Sequence, residues 1–249
     1  MSENNVRIQL ENRMFDGFMS LNENKHVVLK DLNDLSEEQL LYIVKQYAQF
    51  PRNIVSILVS AAYNFGFHGW TSFVEELRDN VSQELGGGCG TIATEFGPHY
   101  SILRRELQNV FGVDVHETKP SAATNGFLDG LRHLVQTEPY EAAGSVFALE
   151  ASAVPELGIM MKLVSHLASK YEKKLTPNLV KFFKFHLNVI EVGHRDRIIK
   201  RIESQLAVSD NLMKFVKGYD AVLEAMDTWW TDLTIEGKAN HHELTLSLA

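Results

Sequence analysis

Between Asp34 and Glu236 nearly every stretch of this sequence repeats its apolar residues at the three-to-four spacing of an α-helix, and no run of useful length alternates. A chain patterned this way has no sheet to build and must bury its apolar stripes helix against helix. Start and stop signals divide it. Residues 6–20 read as a short amphipathic helix, followed by a polar turn through Asn22–Asn24. Ser36 is an N-cap, with Glu37 and Glu38 in the first turn, where the helix dipole favours carboxylates. That helix runs through LLYIVKQYAQF to Pro51, which suits the first turn of a new one. From Arg52 to Phe67 the text is apolar nearly all round, the mark of a buried central helix. His68–Leu85 is amphipathic and stops at Gly86-Gly87-Gly88. A helix of about 20 residues follows His99, then come Ala123–Thr137, Tyr140–Glu150 and Pro155–Lys170, with a break at Ala151–Val154. Thr176 caps a helix with Pro177 at its first position that continues toward Ala207, and Asp210–Glu236 is the last. The tail 237–249 reads as loose. The expected fold is all-α, one domain over residues 1–249 with 1–34 as N-terminal helix and turn, in a bundle of roughly seven to nine helices.

Charge narrows the partners. A formal charge of -8 and a pI of about 5.7 argue against nucleic acid or an anionic membrane as the main partner. The one cysteine, Cys89, rules out an intramolecular disulfide framework and fits a reducing cytosol. The start, MSENNVRIQLENRMFDGF, shows no basic segment followed by an apolar core. No apolar run approaches the roughly 18 residues that a membrane span needs. A cytoplasmic protein without membrane or nucleic-acid contacts is expected.

Chemistry is promised by Lys181–Asp196, where Glu191 and His194 stand three apart on an apolar helix. Residues three apart share a helix face, so a carboxylate oxygen and an imidazole nitrogen can reach one point. His186 lies eight residues earlier, about two turns, and leans toward the same spot. A Glu-x-x-His pair is the ligand unit of helical di-iron and di-manganese carboxylate proteins. Taken alone it is as readily a polar pair on a solvated face. A ferritin-like bundle would supply two such pairs, and this sequence has one, which points to another helical scaffold. Further donors are Glu84, at the end of one helix, and His99, at the start of the next, with Glu95 a second carboxylate one turn before His99. Glu150 sits among Val146, Phe147, Leu149 and Ala151, a stretch too apolar for a free carboxylate. Burying one unpaired costs several kcal/mol, so a metal, a lysine or the next helix's N-terminus must answer it.

In order and spacing, three runs resemble the heme-oxygenase-like di-iron oxidases. They are Asn80-Val-Ser-Gln-Glu-Leu-Gly-Gly-Gly with a histidine opening the next helix, Gly144-Ser-Val-Phe-Ala-Leu-Glu150, and the helix bearing His186, Glu191 and His194. These oxidases share their fold with heme oxygenase and the TenA-type thiaminases but bind non-heme iron, and the sequence looks most like the CADD-like branch. The resemblance covers roughly residues 35–235. It implies a TenA/PqqC-like helical bundle with Glu84, His99, Glu150, Glu191 and His194 as iron ligands and His186 as a sixth. Two departures stand out. Extra residues between Glu84 and His99 leave Glu95 as an alternative to Glu84. The family's last motif is His-x-x-x-Asp/Glu-x-x-His, and His186 is one residue too early, with Leu at 187. A local helix bulge would restore the register.

The resemblance further implies two non-heme irons, O2 and a small-molecule substrate as partners, and a homodimer; manganese suits the same oxygen-rich donors. Tyr47, Tyr63 and Tyr100 are the tyrosines expected near the metals. In CADD-like proteins a tyrosine and a lysine are self-sacrificed precursors of para-aminobenzoate, and Lys162 is the counterpart this sequence offers. The alternatives are a metal-free TenA-like enzyme and a helical binding module. Cys89 reads as a turn residue rather than a TenA-like nucleophile, and His26, in a polar turn, as no heme ligand. His68, His116, His133 and His166 read as surface or packing residues, and His241 and His242 as part of the tail.

Overall fold

In the computed structural model every regular element is helical, and no strand occurs among the described residues. The structure describes residues 26–87, 97–187 and 191–246, together with Leu10 and Asn12; side chains are described to residue 239, excepting 191–193. The helices are α1 (Val27–Lys30), α2 (Glu37–Tyr47), α3 (Gln49–Phe67), α4 (Thr71–Glu84) and α5 (His99–Phe111). A 3-10 turn at Val115–Glu117 leads to α6 (Ala122–Leu134), α7 (Pro139–Lys170), α8 (Pro177–Phe185), α9 (Glu191–Ile202) and α10 (Ser209–Leu246). Since α1 is a single turn, the architecture is the all-α bundle the periodicity predicts. Among the described residues no helix is long and apolar enough to cross a membrane. Of the expected helix over 6–20, only Leu10 and Asn12 lie within the described residues, both helical.

The capping signals are real. Ser36 Oγ accepts from the Gln39 amide at 3.3 Å and Gln39 Oε1 from the Ser36 amide at 2.8 Å, a reciprocal capping box. Thr176 Oγ1 accepts from the Leu179 amide at 3.1 Å, with Pro177 in the first turn.

The central helix is α7, not the expected 52–67. Every residue from Ala142 to Ser152 is buried, whereas α3 leaves Val59, Tyr63 and Phe67 exposed along one side. Nor does α7 break at Ala151–Val154. Proline removes one backbone donor and crowds the preceding turn, a local cost. Here Pro155, Glu156, Ile159, Met160, Leu163 and Val164 are all buried, and that packing holds the helix through the proline.

Against α7 lies α10, its principal neighbour. Their backbones meet at Gly144 and Gly218, where a Cβ would run into the partner helix's carbonyl at Phe215 and Glu141 respectively. Ser145 Oγ lies 3.3 Å from the Gly218 carbonyl and spans the crossing. The residues expected to form a loose tail continue α10 to Leu246. Tyr42 donates to Glu236 at 2.9 Å, Lys238 pairs with Asp31 at 2.6 Å, and Gly237 lies against Ile43, which binds the extension to the α1–α2 region.

Two further expectations are corrected. The helix after His99 ends at Phe111, where Gly112 adopts φ 76° and caps it. The expected run from Thr176 toward Ala207 is interrupted: after α8 the chain enters a π-helical turn at His186–Leu187, and regular helix resumes at Glu191.

Candidate functional site

The ends of α4 and α5 are brought together by a glycine neck. Gly86 adopts φ 78°, and a Cβ there would stand 2.5 Å from the Gly97 carbonyl carbon and 2.7 Å from the Pro98 nitrogen. Only glycine allows so close a meeting. The closure sets Glu84, the last residue of α4, beside His99, the first of α5, with Glu84 Oε1 to His99 Nδ1 at 3.1 Å. Gly86→Ala is therefore expected to lower stability by about 1–3 kcal/mol. Urea midpoints beside those of Gly69→Ala, which shares the positive φ but meets nothing, separate the clash from the backbone strain.

From the middle of α7, Glu150 Oε2 meets His194 Nδ1 at 3.2 Å, while its Oε1 accepts from Asn80 Nδ2 at 3.2 Å. His194 Nε2 lies 2.8 Å from Gln83 Oε1. Helices α4 and α9 are clamped two turns away, where buried Glu76 pairs with Arg197 at 2.5 Å and Arg201 at 3.7 Å. His186, in the π-turn, places its ring centroid 4.4 Å from that of His99, edge to face. Its Nδ1 lies 2.7 Å from the Phe182 carbonyl, which accepts only, so Nδ1 carries the proton. Nε2 then holds a bare lone pair, buried and without a hydrogen-bond partner.

Asn80, Glu84, His99, Glu150, His186 and His194 line one cavity of ≈ 80 Å³ whose walls include Tyr47, Phe50, Ile54, Leu58, Leu149 and Leu157. Its electrostatics separate the donors. Burial raises the Glu84 carboxyl, but the hydrogen bond to His99 and the neighbouring imidazoles outweigh it and hold the group below its ordinary value. Burial, with His99 alongside, pushes His186 down to about 4, so its ring is neutral at physiological pH.

At the same cavity stands Glu156, a carboxyl that the sequence reading passed over. It is 1% exposed, and its Oε1 accepts from Trp230 Nε1 at 3.2 Å while Oε2 has no partner. Burial pushes it up to about 8. The signal that singles out Glu150, a carboxylate in an apolar helix, applies equally to Glu156 between Pro155 and Leu157. Asn80 and Gln83 were equally missed as groups orienting Glu150 and His194.

Glu84, His99, Glu150, His186 and His194 thus share one site, as the family resemblance implies, and Tyr47 lies in its wall. Tyr63 does not reach it, being 77% exposed on the outer side of α3. Tyr100 turns away to bond His116 at 3.3 Å, and Lys162 lies outside the cavity wall. The side chain of Glu191 and the whole of Glu95 and Cys89 fall outside the described residues. His26 is not a polar-turn residue: it is fully buried, edge-on to Trp230 at 5.2 Å. As placed, no three His, Cys, Asp or Glu side chains among the described residues form a group that could hold a metal ion, each carboxylate of the donor set being closed onto one imidazole.

Residues 4–236 match the family described as Domain of Unknown Function with solved-structure structure (DUF3865). The chain belongs to the DUF3865 family. Two crystal structures of a CADD-like protein of unknown function from Nostoc punctiforme PCC 73102 each superimpose on this DUF3865 chain with a TM-score of 0.83. They are 27% and 26% identical to it and cover 94% and 96% of it, over 98% and 96% of their own chains. A domain of unknown function with a heme oxygenase-like fold from Shewanella denitrificans OS217 superimposes with a TM-score of 0.60 at 14% identity, over 99% of this chain and 94% of its own. At that identity the likeness concerns the fold alone. No curated protein matches the chain. The DUF3865 fold here is the CADD-like, heme-oxygenase-like bundle that the motifs resemble.

Proposed function

We propose that this DUF3865 protein is a non-heme di-iron oxidase or oxygenase acting with O2 on a small organic substrate. The observation that carries the reading is the donor set on one cavity: two carboxylates and three imidazoles, with the lone pair of His186 Nε2 unanswered. Burying such a set is expensive unless a cation answers it. Glu84, His99, Glu150, His186 and His194 would hold the metals, with Glu191, which opens α9 one turn before His194, as a further ligand. Two irons bound there would supply the redox chemistry of O2 activation; manganese suits the same donors.

The chain's own contribution is orientation and dryness. The Phe182 carbonyl fixes the His186 ring and leaves Nε2 as its unprotonated nitrogen, and Asn80 fixes Glu150, the kind of outer support that tunes a ligand. Phe50, Ile54, Leu58, Leu149 and Leu157 keep water from the reacting end. Tyr47 is the one tyrosine among the described residues in the cavity wall and Lys162 is not in it, which favours an external substrate over a self-sacrificed tyrosine–lysine pair.

Metal content decides. Protein purified anaerobically and reloaded with Fe(II) is expected to hold about two irons per chain, as a di-iron carboxylate site does. Glu150→Ala and His194→Ala should lose them. Native protein with no iron above background would overturn the reading and leave a helical pocket protein.

A further inference from the structure

Glu156 is used by nothing in the proposed metal chemistry. Its Oε2 lies buried without a partner, and Trp230 fixes its Oε1. Among the described residues no lysine or arginine lines this cavity, and its acidic side chains there, Glu84, Glu150 and Glu156, stand among histidines, Asn80 and apolar or aromatic walls. A carboxylate or phosphate on a ligand would find no counter-charge at the Glu156 end. A purely apolar ligand would leave Oε2 as unpaired as before, at the cost that attends any buried polar group.

We infer that the Glu156 end of the cavity is a binding site for a cationic amine, a primary ammonium group on a small apolar body. The ammonium would donate to Oε2, whose position the indole N–H of Trp230 fixes through Oε1. The face of Tyr47 or Phe50 suits a neighbouring cation, and the aliphatic wall of Leu58, Leu149 and Leu157 suits the body. In the free protein burial keeps the carboxyl protonated up to about pH 8; the arriving ammonium takes that proton's place and the proton leaves to solvent. As a statement about the substrate the inference rests on the oxidase reading, but binding itself needs no metal. The test is therefore made on binding, with iron content followed separately.

The full-length protein is titrated at pH 7 with n-butylamine, butan-1-ol or butanoate, probes of like length and different charge, by calorimetry and thermal shift, without iron and after Fe(II) loading. The amine is expected to bind saturably and raise Tm, and the alcohol and butanoate are not. In Glu156→Gln, which keeps an acceptor for Trp230, amine affinity should fall roughly tenfold or more, as loss of a hydrogen bond to a charged group implies. Iron content should stay at the native level. Amine binding in a native protein that takes up no iron would uphold this site while the oxidase reading falls. Alcohol or butanoate binding as tightly as the amine, amine affinity unchanged in Glu156→Gln, or loss of iron from that variant would each overturn the proposal. The native protein's preference among the three probes needs no variant, so the result does not depend on how Glu156→Gln folds.

Discussion

Gly144→Ala is expected to destabilise the protein by about 3 kcal/mol or more. The added Cβ would overlap the Phe215 carbonyl of α10 and stand 3.0 Å from the Tyr219 amide nitrogen. Both are backbone atoms of a packed helix, so no rotamer change relieves the overlap and the two helices must separate. Gly218 presents the same difficulty from the other side, where a Cβ would meet the Glu141 carbonyl and, at 2.9 Å, Ser145 Oγ. Gly126, where a Cβ meets nothing within 4 Å, is the control. There alanine should stabilise α6 by roughly 0.5–1 kcal/mol, the ordinary helix preference over glycine. Urea unfolding of the two variants beside the parent measures both. A Gly144→Ala midpoint equal to that of the parent would show that the α7–α10 crossing is looser than the backbone contact implies.

The second large effect is a pH dependence set by Glu156. Its folded pKa of about 8 lies above the value of 4.5 expected in the unfolded chain. The folded protein therefore holds this proton more tightly than the unfolded one. Its contribution to stability is full below pH 4.5, falls as pH rises, and is exhausted above about 8. Across that window the native protein should lose on the order of 4 kcal/mol from this one group, while Glu156→Gln, which does not titrate, should not. The difference in unfolding free energy between the two metal-free proteins, measured in urea at pH 5, 7 and 9, should thus grow with pH and then level off. A difference that stays constant would mean that Glu156 is already ionised and paired in the folded protein.

How far the sequence shows this site depends on whether a residue's neighbours along the chain are also its neighbours in space. Glu84 and His99 are legible because glycines mark the turn between their helices. The meeting of Gly86 with Gly97 is not, since it needs the two ends of the connection to be close. His186 sits out of register for a regular helix, and the π-helical turn at His186–Leu187 is the irregularity its spacing calls for. Pro155 misleads for the opposite reason. A proline's local cost is visible in sequence, whereas the packing that overrides it, from elements far along the chain, is not. His26 is the plainest case: polar neighbours in sequence suggest solvent, yet Trp230, two hundred residues on, covers it. Glu156 carries the same sequence signal as Glu150, a carboxylate in an apolar helix; what the sequence does not show is its partner, Trp230 of α10.

The unbroken course of α7 makes it a ruler. Glu150, among the donors, and Glu156, at the proposed amine end, are six residues apart on one helix, about 9 Å along its axis at the α-helical rise. Had Pro155 ended the helix, a turn would join the two carboxyls and their spacing would follow its flexing. On a single rod the span is fixed by backbone geometry, and so, on the proposed reading, would be the distance from an ammonium held at Glu156 to the donors around Glu150. One residue added between them would lengthen that span by only about 1.5 Å but swing Glu156 by about 100°, out of the cavity. A pocket for a longer or shorter molecule would then need its carboxyl at another helix position rather than a stretch of this one.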